Sequence, residues 1–151
     1  MNNEWEFETK LRLLQEVINK KKAALTAILT ICENQEQLFL SPPSDTRREF
    51  LLETGKEKQI LIDETMVCDE VFQRTFDSIS AVFEAQSKHH KDAACHLQAT
   101  IKEVVEIDVR IRAQEQKARM LAKESFGQPT DTVNPASTNY ILEQYRNNTK
   151  K

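Results

Sequence analysis

With 151 residues but only two Gly and four Pro, the chain has the length of one domain with room for a tail and too few turn residues for an α/β enzyme of this size. A hydrophobic share of 39% against 30% charged residues suits long amphipathic helices with wet outer faces. The net charge of −3 supplies no electrostatic drive toward nucleic acid or an anionic membrane, so neither is expected as a partner.

Apolar runs stay far short of the ~20 residues a membrane span needs, so no membrane insertion is expected. The opening MNNEWEFETK lacks the basic stretch and apolar core of a signal peptide. Cys32, Cys68 and Cys95 lie far apart. Odd in number and unclustered, they read as reduced, packed thiols of a cytoplasmic protein.

The first helix is expected from about residue 4 to 40. Phe7, Leu11, Leu14, Ile18, Lys21, Leu25, Ile28, Cys32, Gln35 and Phe39 recur at alternating steps of four and three, and all but Lys21 and Gln35 are apolar. That is a heptad seam on one narrow helix face. Trp5, Val17 and Leu29 widen it, as for a helix touching more than one neighbour. Ser41-Pro42-Pro43 stops it, because a residue before Pro is pushed out of the α region.

The second helix is expected over about residues 45–86. Thr46 with Glu49 three residues on fits a capping box, with Ser44 and Asp45 as rival caps. Lys56 to Phe83 contains no Gly or Pro and places Phe72, Phe76 and Phe83 at helical spacing with Ile79 between them. This stretch is expected to be the central helix of a bundle. Gly55 marks a kink, a close helix approach or a tolerated surface glycine; it costs about 1 kcal/mol against Ala.

Residues Ser87 to Asp92 are polar and aperiodic and are read as the next turn. A third helix over about residues 92–126 follows Ala94, Leu97, Ile101, Val104, Val105, Ile111, Ala118, Leu121 and Ala122. Its seam runs through Asp108 and Glu115. Either this half packs less tightly, or those carboxylates meet basic partners across the bundle. Gly127 and Pro129 end the helix. The fold expected is therefore all-α: an antiparallel bundle of three long helices over residues 4–126, and a flexible C-terminal tail, 127–151, carrying a short helix. In the tail, GQPTDTVNPASTN is a linker. Asn134 and Pro135 then open a segment with Tyr140, Ile141, Leu142 and Tyr145, a helix too short to be stable alone.

Chemistry is sparse. His89, His90, Cys95 and His96 are close in sequence, but adjacent histidines on a helix or turn face one ion poorly, and no CxxC, HExxH or di-iron ExxH pattern accompanies them. Gly55-Lys56 lacks the earlier glycine of a P-loop. Cys95 beside His96 is no nucleophile pair, since helix neighbours diverge by about 100°. Neither catalysis nor a cofactor is expected. Lys20-Lys21-Lys22 and the Lys88 to Lys91 cluster are short, balanced by acids, and lack the stacking aromatics of a nucleic-acid stripe.

What remains is helix packing. The Phe72, Phe76, Ile79 and Phe83 ladder reads as core or, with Leu97, Ile101 and Val104, as a groove accepting a partner's amphipathic helix. Apolar surface left beside the interrupted third seam would be covered by a second copy in a homodimer, by the tail, or by a client.

Several stretches resemble the FlgN-like family of flagellar type III export chaperones. They are LRLLQEVINKKKAALTAILTICENQEQL (Leu11 to Leu38), the Phe50-Leu51-Leu52-Glu53 run with Lys56 to Glu64 after it, Asp69 and Phe72, and IDVRIRAQEQK (Ile107 to Lys117). The similarity spans about residues 4–125, and the tail with Tyr140 and Lys150-Lys151 is similar too. The resemblance implies a cytoplasmic chaperone that holds the terminal amphipathic segment of hook–filament junction proteins and delivers them to the flagellar export gate and its ATPase. It further implies that Tyr140, Ile141 and Tyr145 dock on that gate; tyrosine is a common interface choice. The alternative is a non-catalytic coiled-coil adaptor or structural homo-oligomer, which the regular Phe7 to Phe39 seam favours.

Overall fold

The structure is a computed structural model and describes residues 3–126. Helix α1 spans Asn3–Leu40, α2 Asp45–Ser87 and α3 Lys91–Phe126. No strand occurs among the described residues. The linker and docking helix expected in 127–151 lie outside them.

Each boundary has a local cause. At the end of α1, Ser41 N–H donates to the carbonyls of Gln37 and Leu38, both at 3.2 Å, and Pro42-Pro43 prevents another turn. Ser44, in extended conformation, caps α2 by accepting from Arg47 N–H at 3.0 Å. The cap is thus Ser44 and not Thr46, and it satisfies one orphan donor of the first turn. Arg47, nearly buried, ties the turn back to α1: its Nη1 donates to the Ser41 carbonyl at 2.8 Å and its guanidinium lies 5.7 Å from the centre of the Phe39 ring. At the second turn, His89 and His90 N–H donate to the Gln86 and Ser87 carbonyls at 3.0 and 3.1 Å. The His90 carbonyl then accepts from Ala94 at 2.9 Å, which starts α3.

Cross-helix contacts give the directions. Gln35 meets Thr54 and Lys58, and Lys21 meets Asp69, so α1 and α2 run antiparallel. Gln15 meets Thr100, Lys22 meets Glu103 and Lys117 meets Glu36, so α1 and α3 run parallel. The chain goes up, down and up.

The central helix is α1, which corrects the expectation placed on Lys56 to Phe83. Helix α1 packs closely on both α2 and α3, whereas α2 and α3 approach each other far less. Eleven apolar residues of α1, from Phe7 to Cys32, are buried; α2 contributes only Ile62 and Ile79. The cause is the seam itself. Leu11, Leu14, Ile18, Leu25, Ile28 and Cys32 are all buried, and Ala24, Val17, Leu29 and Ile31 extend the buried face until it serves two neighbours. Trp5 does not join it; it is 65% exposed.

Polar seam positions are paired. Lys21 bridges to Asp69 on α2, Lys22 to Glu103 on α3, and Lys20 faces solvent. The Lys20-Lys21-Lys22 run is thereby divided among two helices and water. Gly55 makes neither a kink nor a close approach: α2 runs through it unbroken, and a Cβ placed there would meet nothing within 4 Å.

Candidate functional site

The aromatic ladder folds into the core around the N-terminal half of α1. Ile79, Leu97 and Val104 are buried, while Phe72, Phe76, Phe83 and Ile101 are half-buried and pack against them. Phe7 of α1 fills the space between. Its ring meets Phe83 edge-on at 5.8 Å between centroids and the His90 ring at 5.6 Å. Phe76 and Phe83 are 5.3 Å apart. Such tilted and edge-on contacts are the favoured aromatic geometries. All seven residues singled out as a groove thus belong to one cluster, together with a side chain from α1 that sequence reasoning did not place there.

The opposite half of the bundle holds a buried polar centre. Lys58, with no exposed surface, donates from Nζ to Glu115 Oε1 at 2.7 Å and to Gln35 Oε1 at 3.0 Å. The Cys32 thiol donates to the same Glu115 oxygen at 3.3 Å. Gln35 Nε2 donates to Thr54 Oγ1 at 3.1 Å, and Thr54 donates in turn to carbonyls of its own helix at Phe50 and Leu51. Burial pushes the Cys32 thiol up to about 12, with Lys58 pulling down and Glu115 pushing up. The thiol is therefore neutral at any physiological pH and serves as a donor, not a nucleophile. Glu115 is one of the two carboxylates that interrupt the third seam, and it meets a basic partner across the bundle. Asp108, the other, pairs with Arg112 on its own helix at 2.6 Å. Lys58 was visible only as one charge in a charged run.

Among the described residues, exposed apolar side chains include two groups near the core. One is a stripe on α3: half-buried Ile101 leads at four-residue steps to Val105 and Val109, each 57% exposed. The other borders a groove of about 820 Å³ between α1 and α2. It is lined by Ala23, Ala24, Ile60, Leu61, Val67 and Cys68, together with the charged Lys20, Asp63 and Glu64. Ile60 and Val67 are 61% and 58% exposed. Burial, and next the Asp69 carboxylate, raise the Cys68 thiol above its ordinary value.

The remaining chemistry does not converge. Cys95 is exposed and Cys68 half-buried, far in sequence from buried Cys32. Among the described residues, no three His, Cys, Asp or Glu side chains are grouped so as to hold a metal ion. No described helix is long and apolar enough to cross a membrane. The chain matches no family model, no curated protein and no solved structure.

Proposed function

We propose that this chain is a cytoplasmic, non-catalytic chaperone. Its clients are late flagellar export substrates, the hook–filament junction proteins, and it holds the amphipathic helix at the end of such a client. The observation that carries the reading is the exposed Val105 and Val109 stripe that continues from Ile101, which packs against the same buried cluster as half-buried Phe72, Phe76 and Phe83. A client helix laid along it at i, i+4 and i+8 would bury apolar surface that the bundle leaves wet, at roughly 25 cal/mol per Å². The FlgN-like character of the Leu11 to Leu38 and Ile107 to Lys117 stretches supplies the client class. Delivery falls to the segment with Tyr140, Ile141 and Tyr145, which on this reading docks on the export gate.

The test mixes the purified chain with a purified hook–filament junction protein from the same organism. A stoichiometric complex is expected by size-exclusion chromatography. The double change Val105→Glu and Val109→Glu, at exposed positions that leave the fold intact, should weaken it at least tenfold. If no axial flagellar protein binds, the reading fails. A tight self-associated species in sedimentation, with no such binding, would favour the adaptor or structural homo-oligomer.

A further inference from the structure

The exposed stripe on α3 is bordered by charge of one sign. At about 100° per residue, Lys91, Lys102, Arg112, Arg119 and Lys123 all fall within about 60° of the line that runs midway between Val105 and Val109. Each of these cations is exposed. Among the described residues of α3, no Asp or Glu falls in the same sector. The fold spends its acids elsewhere: Glu103 turns to Lys22 of α1 and Glu115 to Lys58 of α2. Glu106 and Asp108 stand just outside the sector, on opposite sides, and half-buried Asp108 is tied to Arg112 at 2.6 Å.

The α1/α2 groove carries no such signal, since Lys20 stands there with Asp63 and Glu64. On α3, Lys102 lies on one side of the valines and Arg112 and Arg119 on the other, spread over about 26 Å of helix at 1.5 Å per residue. A helix laid on Val105 and Val109 brings its own flanking residues within reach of both rows. Paired helices use the positions beside an apolar seam in this way to choose partners. Opposite charge there steers and orients the incoming helix, and like charge rejects it. An anionic membrane is the weaker fit. The sector holds no Trp, Phe or Leu among the described residues, and those are the side chains that anchor a helix in a lipid surface.

We propose that the open face of α3 selects an acidic amphipathic helix: a partner segment whose apolar stripe lies on Val105 and Val109 and whose flanking Asp or Glu residues meet Lys102 on one side and Arg112 and Arg119 on the other. The inference rests on the reading that this face receives a partner's helix, and not on whose helix it is. A helix with the same apolar stripe but basic flanks is refused.

The test uses two labelled synthetic peptides, each held helical by an internal cross-link, with leucines at i, i+4 and i+8. One carries Glu on both flanks and the other carries Lys. Fluorescence anisotropy with the full chain should show the glutamate peptide binding more tightly by about fivefold or more at low salt, with the preference shrinking as salt rises. The double change Lys102→Glu and Arg119→Glu, at exposed positions that should leave the helical circular dichroism unchanged, should invert the preference. Equal binding of the two peptides would overturn the proposal, as would binding of neither or a preference that ignores the charge reversal. Sedimentation with phosphatidylserine vesicles in the absence of peptide binding would overturn it too and make a lipid surface the partner. The client reading fails separately. A hook–filament junction protein that does not bind while the glutamate peptide does would end that reading and leave this inference standing. A junction protein that binds while the peptides show no preference would do the reverse.

Discussion

The two halves of this bundle are held by opposite chemistry along one helix. Near its start, α1 puts Phe7 into a cluster of Phe76, Ile79, Phe83 and Leu97, with the His90 ring against it. Toward its end, the same face puts Cys32 and Gln35 against Lys58 and Glu115. Each region has a buried centre: Phe7, Ile79 and Leu97 in one, Cys32, Gln35, Lys58 and Glu115 in the other. The apolar half tolerates many packings of similar volume. The polar half does not, since a buried charge needs its partner at hydrogen-bond distance. Lys58, Glu115 and Gln35 come from three different helices, so only one axial register of α1, α2 and α3 satisfies them together. The polar half therefore sets register, and the apolar half supplies burial.

The largest expected effects test that division directly. Glu115→Ala leaves Lys58 buried without its carboxylate and should cost about 3–5 kcal/mol by urea unfolding. The paired change Lys58→Met with Glu115→Leu should recover most of this, because the pair's attraction largely offsets its own desolvation. If the paired variant is as unstable as the single one, the contact supplies stability and not register. In the apolar half, Phe7→Ala should cost about 3–5 kcal/mol, and no second change to a charged residue should rescue it.

A smaller effect appears in pH. The folded Cys32 thiol is raised to about 12 from an ordinary 9.0, so between those values the unfolded chain gives up a proton that the folded chain keeps. The unfolded state thus gains as pH rises: this contribution is constant below pH 9 and is lost above it, at up to about 1.4 kcal/mol per pH unit. Comparing the urea midpoints of the native chain and Cys32→Ala from pH 8 to 10.5 isolates the slope from the titration of lysines and tyrosines. The two curves should converge as pH rises; parallel curves would mean that Cys32 is not shielded in the folded state.

Next come the local devices near the polar half. Ser44→Ala removes the acceptor for Arg47 N–H and should cost about 1 kcal/mol. Gly55→Ala should do the reverse. The helix is regular there and a methyl group meets open space, so it should gain about 0.5–1 kcal/mol. A loss instead would show that α2 needs the glycine for a contact made only with a partner.

Much of this fold was legible because helix periodicity is local. The α1 seam from Phe7 to Cys32 can be read off by counting threes and fours, and its apolar members are buried. The turns at Pro42-Pro43 and near His89-His90 follow from backbone chemistry within a few residues. The rank of the helices was less legible. Phe72, Phe76 and Phe83 suggested that α2 was central, but bulk on one face tells nothing of how many neighbours that face meets. Breadth of the apolar face tells more: Val17, Ala24, Leu29 and Ile31 beside the seam mark α1 as the helix with two partners.

By itself, the sequence determined that the chain forms long helices, where they stop, and which face of the first one turns inward. These are matters of spacing, capping and proline sterics, decided within a turn or two. Only the tertiary structure decided that Glu115, an apparent flaw in the third seam, answers Lys58 some 57 residues away. It alone also decided that Phe7 joins the aromatic ladder, and that Ile60 and Val67 on the α1/α2 flank and Val105 and Val109 on α3 stay exposed. Those outcomes depend on the axial offset between helices. That offset is fixed jointly by three chains of side chains in contact, and no one segment carries it.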